Sequence, residues 1–535
     1  MFLNKEKYDT TQQTAHQMGG GGATPNPKKL MKELKKHYQR AFLALIKAYK
    51  RYYLGVWIIK LPFYKLTSNQ HKITKWQAKR DERLEFLHNA LKTFKFLRTF
   101  DEESKKWLNS PEFKAKYLDT KHPYPPLLNP DSVDYKCIPA ELAWEINLPL
   151  PPNYDFIYFV VWGCASRSTL TYFSQEGLRL SPFCSDLPTI EQYKLTFDFL
   201  KNSTIKIKKI LLIHSYTSNF IGEKYLYLVV KNVPVFIVVR DPISIVKTWA
   251  NHTHPNPNKI NKFNLTFDYH QVLDCIVYDS GKNPNMDNEG VYLASQSCSF
   301  AQKKYLPYFT KNPKIIIDAS DLSVDNAYRT MQNLGKKLNF TLTLPKKDYV
   351  NKSNTSTFHN LFPFILICHS GDLTKMFKGG FEQRNMKSLE YKNSIKIIIT
   401  DGIRGNAWRR NRDYTQLNGI ESQQILFFIS QKNAQKLYSD KSLFESIKEY
   451  LQGFIKALNK RIALESKNQL AEKDILEYFA KNKAQRQKYK TIFDENLSFY
   501  KELCPDIVES WKYYNEFEKM CAELDKSKER QNERI

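Results

Sequence analysis

YDFIYFVVWGCASRSTLTYF, residues 154–173, is the stretch on which the fold turns. Its first half is a near-continuous run of apolar, β-branched and aromatic residues of strand length. A turn of small residues follows, and then a segment that reads as helix. The pattern recurs at KKILLIHS (208–215), VPVFIVVR (233–240) and PKIIIDAS (313–320). Runs that are apolar on both faces and separated by helices indicate a parallel sheet covered on both sides. After the last run, Val324, Ala327, Met331, Leu334 and Leu338 recur at helical spacing, with Ser323 placed to cap the start. The class read from these residues is α/β, a parallel sheet flanked by helices.

Outward from this core the chain is legible in blocks. Residues 1–27 are polar, contain Gly19 to Gly22 and end in ATPNP, as a flexible leader does. Residues 28–150 are expected to be a basic helical region. Within it, residues 28–80 carry 15 Lys or Arg against one acid, Glu33. Leu30, Leu34, Tyr38, Ala41, Leu45, Ala48 and Tyr52 form a helical stripe there. Such a basic amphipathic segment suits an anionic membrane surface or an acidic polymer, and equally a solvated face on its own domain. HPYPPLLNP (122–130) and LPLPP (148–152) cannot continue a helix. The α/β domain is expected over 151–420, with FPFILICHS (362–370) and IKIIIT (395–400) as candidate further strands. A helical C-terminal region is expected over 421–535.

Composition narrows the classes. The chain has 535 residues, a formal charge of +27, 42% hydrophobic and 14% aromatic residues. Disorder requires low hydrophobicity along with high charge, so a mostly disordered chain is excluded. Eight cysteines without paired spacing exclude a disulfide scaffold and point to free thiols in a reducing, cytoplasmic compartment. No run of 18 uncharged apolar residues offers a membrane span, and the N-terminus lacks the apolar core of a secretory signal. The charge alone admits nucleic acid, but no zinc finger, helix-turn-helix or aromatic RNA-binding motif accompanies it.

Three places offer chemistry. The turn Gly163-Cys164-Ala165-Ser166-Arg167-Ser168-Thr169-Leu170-Thr171 presents amides and a helix N-terminus, suited to an anion. Arg167 adds a forked cation, and Ser166, Ser168, Thr169 and Thr171 add hydroxyls. The Walker pattern is absent, which disfavours an ordinary ATPase. At 240–248, Arg240 ends a strand, Asp241 is placed to cap, Pro242 fits the first helical position and Thr248 follows two turns on. Taken alone, Arg240 and Asp241 also read as a simple pair at a strand end. His214 ends the strand LLIH, where it reads as a core imidazole or as a base for an incoming hydroxyl. All three lie at carboxyl ends of expected strands, the edge where ligands bind in open α/β sheets. His252 and His254 lack a third ligand nearby, and no cysteine pair has zinc spacing, so no metal and no prosthetic group are expected.

Together these residues resemble the nucleotide-dependent sulfotransferases, whose core is a sulfotransferase-like P-loop fold. Arg167-Ser168-Thr169-Leu170-Thr171 resembles the loop that binds the 5′-phosphate side of the donor. Arg240-Asp241-Pro242 with Thr248 resembles the motif that binds the 3′-phosphate, and His214 falls where those enzymes place a catalytic histidine. KIIIDASDLSVDNAYRTMQNLGKKLNF (314–340) resembles their later strand, turn and helix. Thr169 stands in place of the usual glycine and Arg167 in place of lysine, and the late Gly-rich motif has no clear counterpart. The resemblance spans residues 154–345.

The Lys- and Tyr-rich leader, the tetraglycine and the helical tail resemble a family of bacterial capsule-locus sugar transferases assigned as capsular polysaccharide O-methyl phosphoramidate transferases. That resemblance implies a 3′-phosphorylated cytidine diphosphate-type donor as co-substrate and a sugar hydroxyl of capsular polysaccharide, or its precursor, as acceptor. It implies His214 and Arg167 as catalytic residues. Ser166, Arg167, Ser168, Thr169, Thr171, Arg240 and Thr248 would bind the donor. A sulfotransferase using 3′-phosphoadenylyl sulfate shares every motif. A capsule glycosyltransferase would want a D-x-D pair, and a non-catalytic basic scaffold would act through residues 28–80. A cytoplasmic place at the inner membrane, through those residues, suits each of them.

Overall fold

The computed structural model describes residues 101–532, apart from 183–186, 203–206, 215–221, 256–259, 275, 279–282, 288, 301, 350–357, 359–360, 369–393, 402–404, 406–407, 409–410 and 423–424. The leader and the basic stripe of 28–80 lie outside the described residues. The chain divides into two compact units.

The first unit comprises the described residues of Met1–Asn153, Asp186–Ile205 and Ile221–Lys231. Its proline-rich segments are irregular, as their missing amides require. They are fixed by side chains: the Trp107 indole donates to the Pro126 carbonyl (3.0 Å) and the Asn147 amide to Pro125 (3.0 Å). The helices Ala140–Glu145, Thr189–Lys201 and Glu223–Tyr227 gather Trp144, Tyr193 and Tyr225. The Lys224 ammonium sits 4.4 Å from the centre of the Trp144 ring and donates to its carbonyl at 2.6 Å. Burial pushes this amine down to about 8.

The second unit holds the parallel sheet. Its strands are β1 (Phe156–Val160), β2 (Arg179–Leu180), β3 (Lys209–His214), β4 (Val235–Val239) and β5 (Lys314–Asp318). Their order is β2-β3-β1-β4-β5, all parallel. The four apolar runs of the sequence are β1, β3, β4 and β5, and the two-residue β2 gave no pattern to read. Every residue of β1, β3 and β4 is buried, while β5 is half-buried throughout, because it has one hydrogen-bonded neighbour among the described strands. Helix α1 (Ser166–Gln175) packs Phe173 against Phe156, Tyr158 and Phe236. A ring buried this fully contributes about 1.5–3 kcal/mol. Helix α2 (Pro242–Ala250) follows β4, and α3 (Glu289–Cys298) precedes β5. Helix α4 (Ala327–Leu338) follows β5.

Helix α4 starts later than its sequence suggested. Residues 319–322 form their own tight turn, capped by Asp318, and Ser323 ends that turn. The Ser323 carbonyl accepts the Ala327 amide (2.8 Å), while its hydroxyl meets the Asn326 side chain (3.2 Å) in place of a backbone amide.

Phe364–Cys368 and Ile395–Asp401 are strands, but they do not extend the parallel sheet. With Lys262–Asn264, Tyr414–Gln416 and Ile425–Ser430 they build a second five-stranded sheet. Its pairings are antiparallel except that between Lys262–Asn264 and Phe364–Cys368. Helix α5 (Lys441–Asn468) covers it with Ile447, Leu451, Phe454 and Leu458. The tail continues as α6 (Glu472–Lys481), α7 (Lys483–Leu503) and α8 (Lys512–Asn532). It belongs to the same compact unit as the parallel sheet.

Candidate anion-binding site at the strand ends

The register brings the three sequence sites to one edge. Val160 at the end of β1 pairs with His214 at the end of β3, and Phe159 with Ile237 two residues from the end of β4. Because all strands run the same way, the segments leaving β1 and β4 emerge beside one another.

The loop from β1 into α1 is built to turn sharply. Gly163 has φ +80° and Ala165 φ +51°. A positive φ at alanine is uncommon and costs free energy, which marks a loop held in shape by its surroundings. Gly163 suits this place for two reasons. Its φ suits glycine, and a Cβ there would lie 3.2 Å from Ile245 Cγ2 and 3.5 Å from Ser299 Oγ. Ala165 is the N-cap of α1, so Ser166, Arg167 and Ser168 form its first turn. The amides of a first turn have no acceptor inside the helix, and the helix dipole adds positive potential there.

Arg240 joins the two motifs. Its Nη1 donates to the Gly163 carbonyl (2.9 Å) and to Thr248 Oγ1 (3.1 Å). Thr248 Oγ1 in turn donates to the Ser244 carbonyl one turn back (2.9 Å). Asp241 is the N-cap of α2 and accepts from the Ile243 amide (2.9 Å), with Pro242 at the first helical position. Its other oxygen accepts the amides of Tyr513 (2.9 Å) and Tyr514 (3.2 Å). Asp241 therefore does not pair with Arg240 as a simple ion pair would. It caps one helix and holds the start of another. Burial raises its pKa, and the amide bonds pull against that.

The remaining residues are placed as follows. Ser166 is buried, and Arg167 and Ser168 are half-buried on the first turn. Thr169 is fully buried and donates to the Ala165 carbonyl (3.0 Å). Thr171 donates to the Arg167 carbonyl (2.9 Å). These two hydroxyls are thus engaged inside α1. His214 is 4% exposed, and burial pushes its pKa down to about 3. The Cys164 thiol is pushed up to about 12 by burial, with Arg240 pulling it down and Asp318 pushing it further up. Cys164 is therefore a packed thiol and not a nucleophile at neutral pH.

Sequence reasoning missed three residues that organise this edge. Ser299 bridges Trp249 and Trp162, accepting from the indole (2.9 Å) and donating to the carbonyl (2.7 Å). Asp318 accepts the Trp511 indole (2.8 Å). Glu472 accepts from Ser244 (2.9 Å) and Lys247 (2.6 Å) on α2. Each partner lies 50 or more residues away, so no local pattern announces it. No group of three metal-ligating side chains exists among the described residues, and no described helix is long and apolar enough to cross a membrane.

Fold and edge together define an α/β protein whose sheet ends carry an arginine-braced loop at a helix N-terminus. Residues 316–524 match the model of a family described as a protein of unknown function, DUF2972. The match begins within β5, takes in the second sheet apart from its strand Lys262–Asn264, ends in α8, and leaves out the loop after β1, His214 and Arg240. No curated protein matches the chain.

Proposed function

We propose that this protein is a transferase. It moves a phosphoramidate group, the one carried as O-methyl phosphoramidate in the finished polymer, from a 3′-phosphorylated cytidine diphosphate-type donor to a sugar hydroxyl of capsular polysaccharide. The observation that carries the reading is Arg240, whose guanidinium meets both the loop carbonyl of Gly163 and the Thr248 hydroxyl. Residues for the two ends of a doubly phosphorylated nucleoside are thereby neighbours. The choice of phosphoramidate over sulfate rests on the resemblance of the leader, tetraglycine and tail.

In this reading Arg240 and Thr248 hold the 3′-phosphate. The first-turn amides of α1, with Arg167, Ser166 and Ser168, hold the 5′ side. The sugar oxygen forms a bond to the terminal phosphorus as the bond from that phosphorus to the bridging oxygen breaks. The electron pair goes to the bridging oxygen, and nucleoside 3′,5′-bisphosphate leaves. The acceptor proton goes to His214. With a pKa pushed to about 3 the imidazole is in the neutral, accepting form at pH 7, but it is a weak base. A bound polyanion nearby raises that value, because it favours the imidazolium. Positioning and fixed charge carry most of such a reaction. The basic segment 28–80 would bring the enzyme to the inner-membrane face and to its anionic product.

The test is direct. The purified chain is given 3′-phosphocytidine diphosphoramidate or 3′-phosphoadenylyl sulfate with capsule acceptor, and product is followed by phosphorus NMR and mass spectrometry. Binding of cytidine 3′,5′-bisphosphate is measured by calorimetry. Arg240→Met is expected to weaken it ten- to a hundredfold, the effect of about 1.5–3 kcal/mol from one charged contact. Wild-type protein that binds no bisphosphonucleotide would refute the reading.

A further inference from the structure

We propose that Ser299 is a positioning residue for the loop after β1, acting on the orientation of the Trp162–Gly163 peptide. The proposal rests on the nucleotide-binding reading above and adds to it a residue that touches no ligand.

Two adjacent loop carbonyls are tied to two adjacent residues of α2. The Gly163 carbonyl is tied through Arg240 to Thr248, and the Trp162 carbonyl through Ser299 to Trp249. Ser299 is fully buried, one residue past the end of α3, and its own amide is bonded to the Ser295 carbonyl (3.0 Å). It is therefore a fixed point of the scaffold, 137 residues from the carbonyl it holds.

A peptide is planar, so the carbonyl of Trp162 and the amide of Gly163 point in opposite directions. Holding the carbonyl against Ser299 turns that amide away from Ser299. It also holds Gly163 in the positive-φ geometry that precedes α1. The one hydroxyl does two things at once, accepting from the Trp249 indole and donating to the Trp162 carbonyl. Alanine would leave both of these groups without their partner. The loop is the 5′ side of the proposed site, whereas the Arg240–Thr248 contact does not pass through Ser299. Loss of Ser299 should therefore harm one end of the nucleotide and spare the other.

The experiment compares full-length wild type, Ser299→Ala and Trp249→Phe by calorimetry with cytidine 3′,5′-bisphosphate and with cytidine 3′-monophosphate. Ser299→Ala is expected to bind the bisphosphate about tenfold more weakly, with the 3′-monophosphate unchanged. Trp249→Phe keeps the Ser299–Trp162 bond and is expected to lose about threefold on the bisphosphate alone. It carries the test if Ser299→Ala does not fold. Equal weakening toward both ligands would show a general structural role and overturn the proposal, as would no weakening at all. Wild-type protein that binds neither ligand removes the transferase reading, and this inference with it. Wild-type binding with unselective variants removes the inference alone.

Discussion

His214 gives the sharpest test of how the strand-end edge is built, because its burial has a thermodynamic signature in acid. In the unfolded chain a histidine titrates near 6.5, whereas in the fold its pKa is about 3. A depressed folded value means that the unfolded state binds more protons between those two values. Stability contributed by the neutral imidazole is thus present above pH 6.5 and is lost as pH falls toward 3. From pH 7 to 4.5 the loss works out at about 2–3 kcal/mol for this one group. Replacing His214 by Gln keeps a polar side chain and removes the titration. Denaturant unfolding of wild type and His214→Gln at both pH values isolates the effect, since every other titrating group cancels in the double difference. Wild type should lose about 2–3 kcal/mol more than the variant on acidification. Parallel pH dependences would mean that the imidazole reaches water, and the placement of His214 as a buried group at the end of β3 would be wrong.

Two further outcomes follow from the same edge. Cys164 is 1% exposed with its thiol pushed up to about 12, so alkylation of the native protein at pH 8 should modify the exposed Cys137 and leave Cys164 untouched until denaturant is added. Peptide mapping by mass spectrometry reads this, and rapid native labelling of Cys164 would contradict the packed loop. Asp241→Asn replaces one acceptor oxygen by a donor facing the amides of Ile243 or of Tyr513 and Tyr514. It should cost about 1–3 kcal/mol in denaturant unfolding and open the chain to protease near Lys512. Unchanged stability and cleavage would remove Asp241 from the docking of α8.

What could be read in advance was whatever the chain encodes locally. The runs Phe156–Val160 and Val235–Val239 have strand length, apolar faces on both sides and turn residues behind them, and each became a buried central strand. Asp241 and Pro242 carry the chemistry of a helix start within two residues, and the helix starts there. Arg240 and Thr248 were singled out by their eight-residue step, but the hydrogen bond between them was not read from it, since Arg240 precedes the helix and two turns rise about 12 Å. The unread parts are those decided by distant partners. FILIC and IKIIITD are apolar strands like the others, and nothing within them says which sheet they join. Only their pairing with each other and with Ile425–Ser430 does so. Ser323 looked like a cap because Ser favours that position. The preceding Asp318 and Asp321 form a capping box of their own and shift the helix start. The bonds that the Thr169 and Thr171 hydroxyls make to the carbonyls four residues back come from their place in the helix and were not part of what residue type suggested.

The carboxylates at this edge are committed to donors of the protein itself. Asp241 and Asp318 both lie at strand ends, where a pair of acids could equally gather a cation. Asp241 instead accepts three backbone amides, and Asp318 accepts the Ser320 amide and the Trp511 indole. Their negative charge is thereby committed to donors of the protein, and most of those donors come from the helical tail. Glu472 on α6 works in the opposite sense, since it pairs with the Lys247 cation of α2. The tail thus engages the two Asp side chains, while among the described residues the Arg240 guanidinium bonds neutral oxygens, those of Gly163 and Thr248, through its Nη1. A guanidinium is positive in either case, but a paired carboxylate offsets its field at a ligand, whereas neutral acceptors do not. Residues 316–524 supply Asp318, Glu472, Trp511, Tyr513 and Tyr514, and the preceding segment supplies the loop, Arg240 and Thr248. Dividing the chain at 316 would also part β5 from its pairing with β4. Neither segment holds the complete edge, so a binding measurement on either one alone would report on a different charge distribution from that of the full chain.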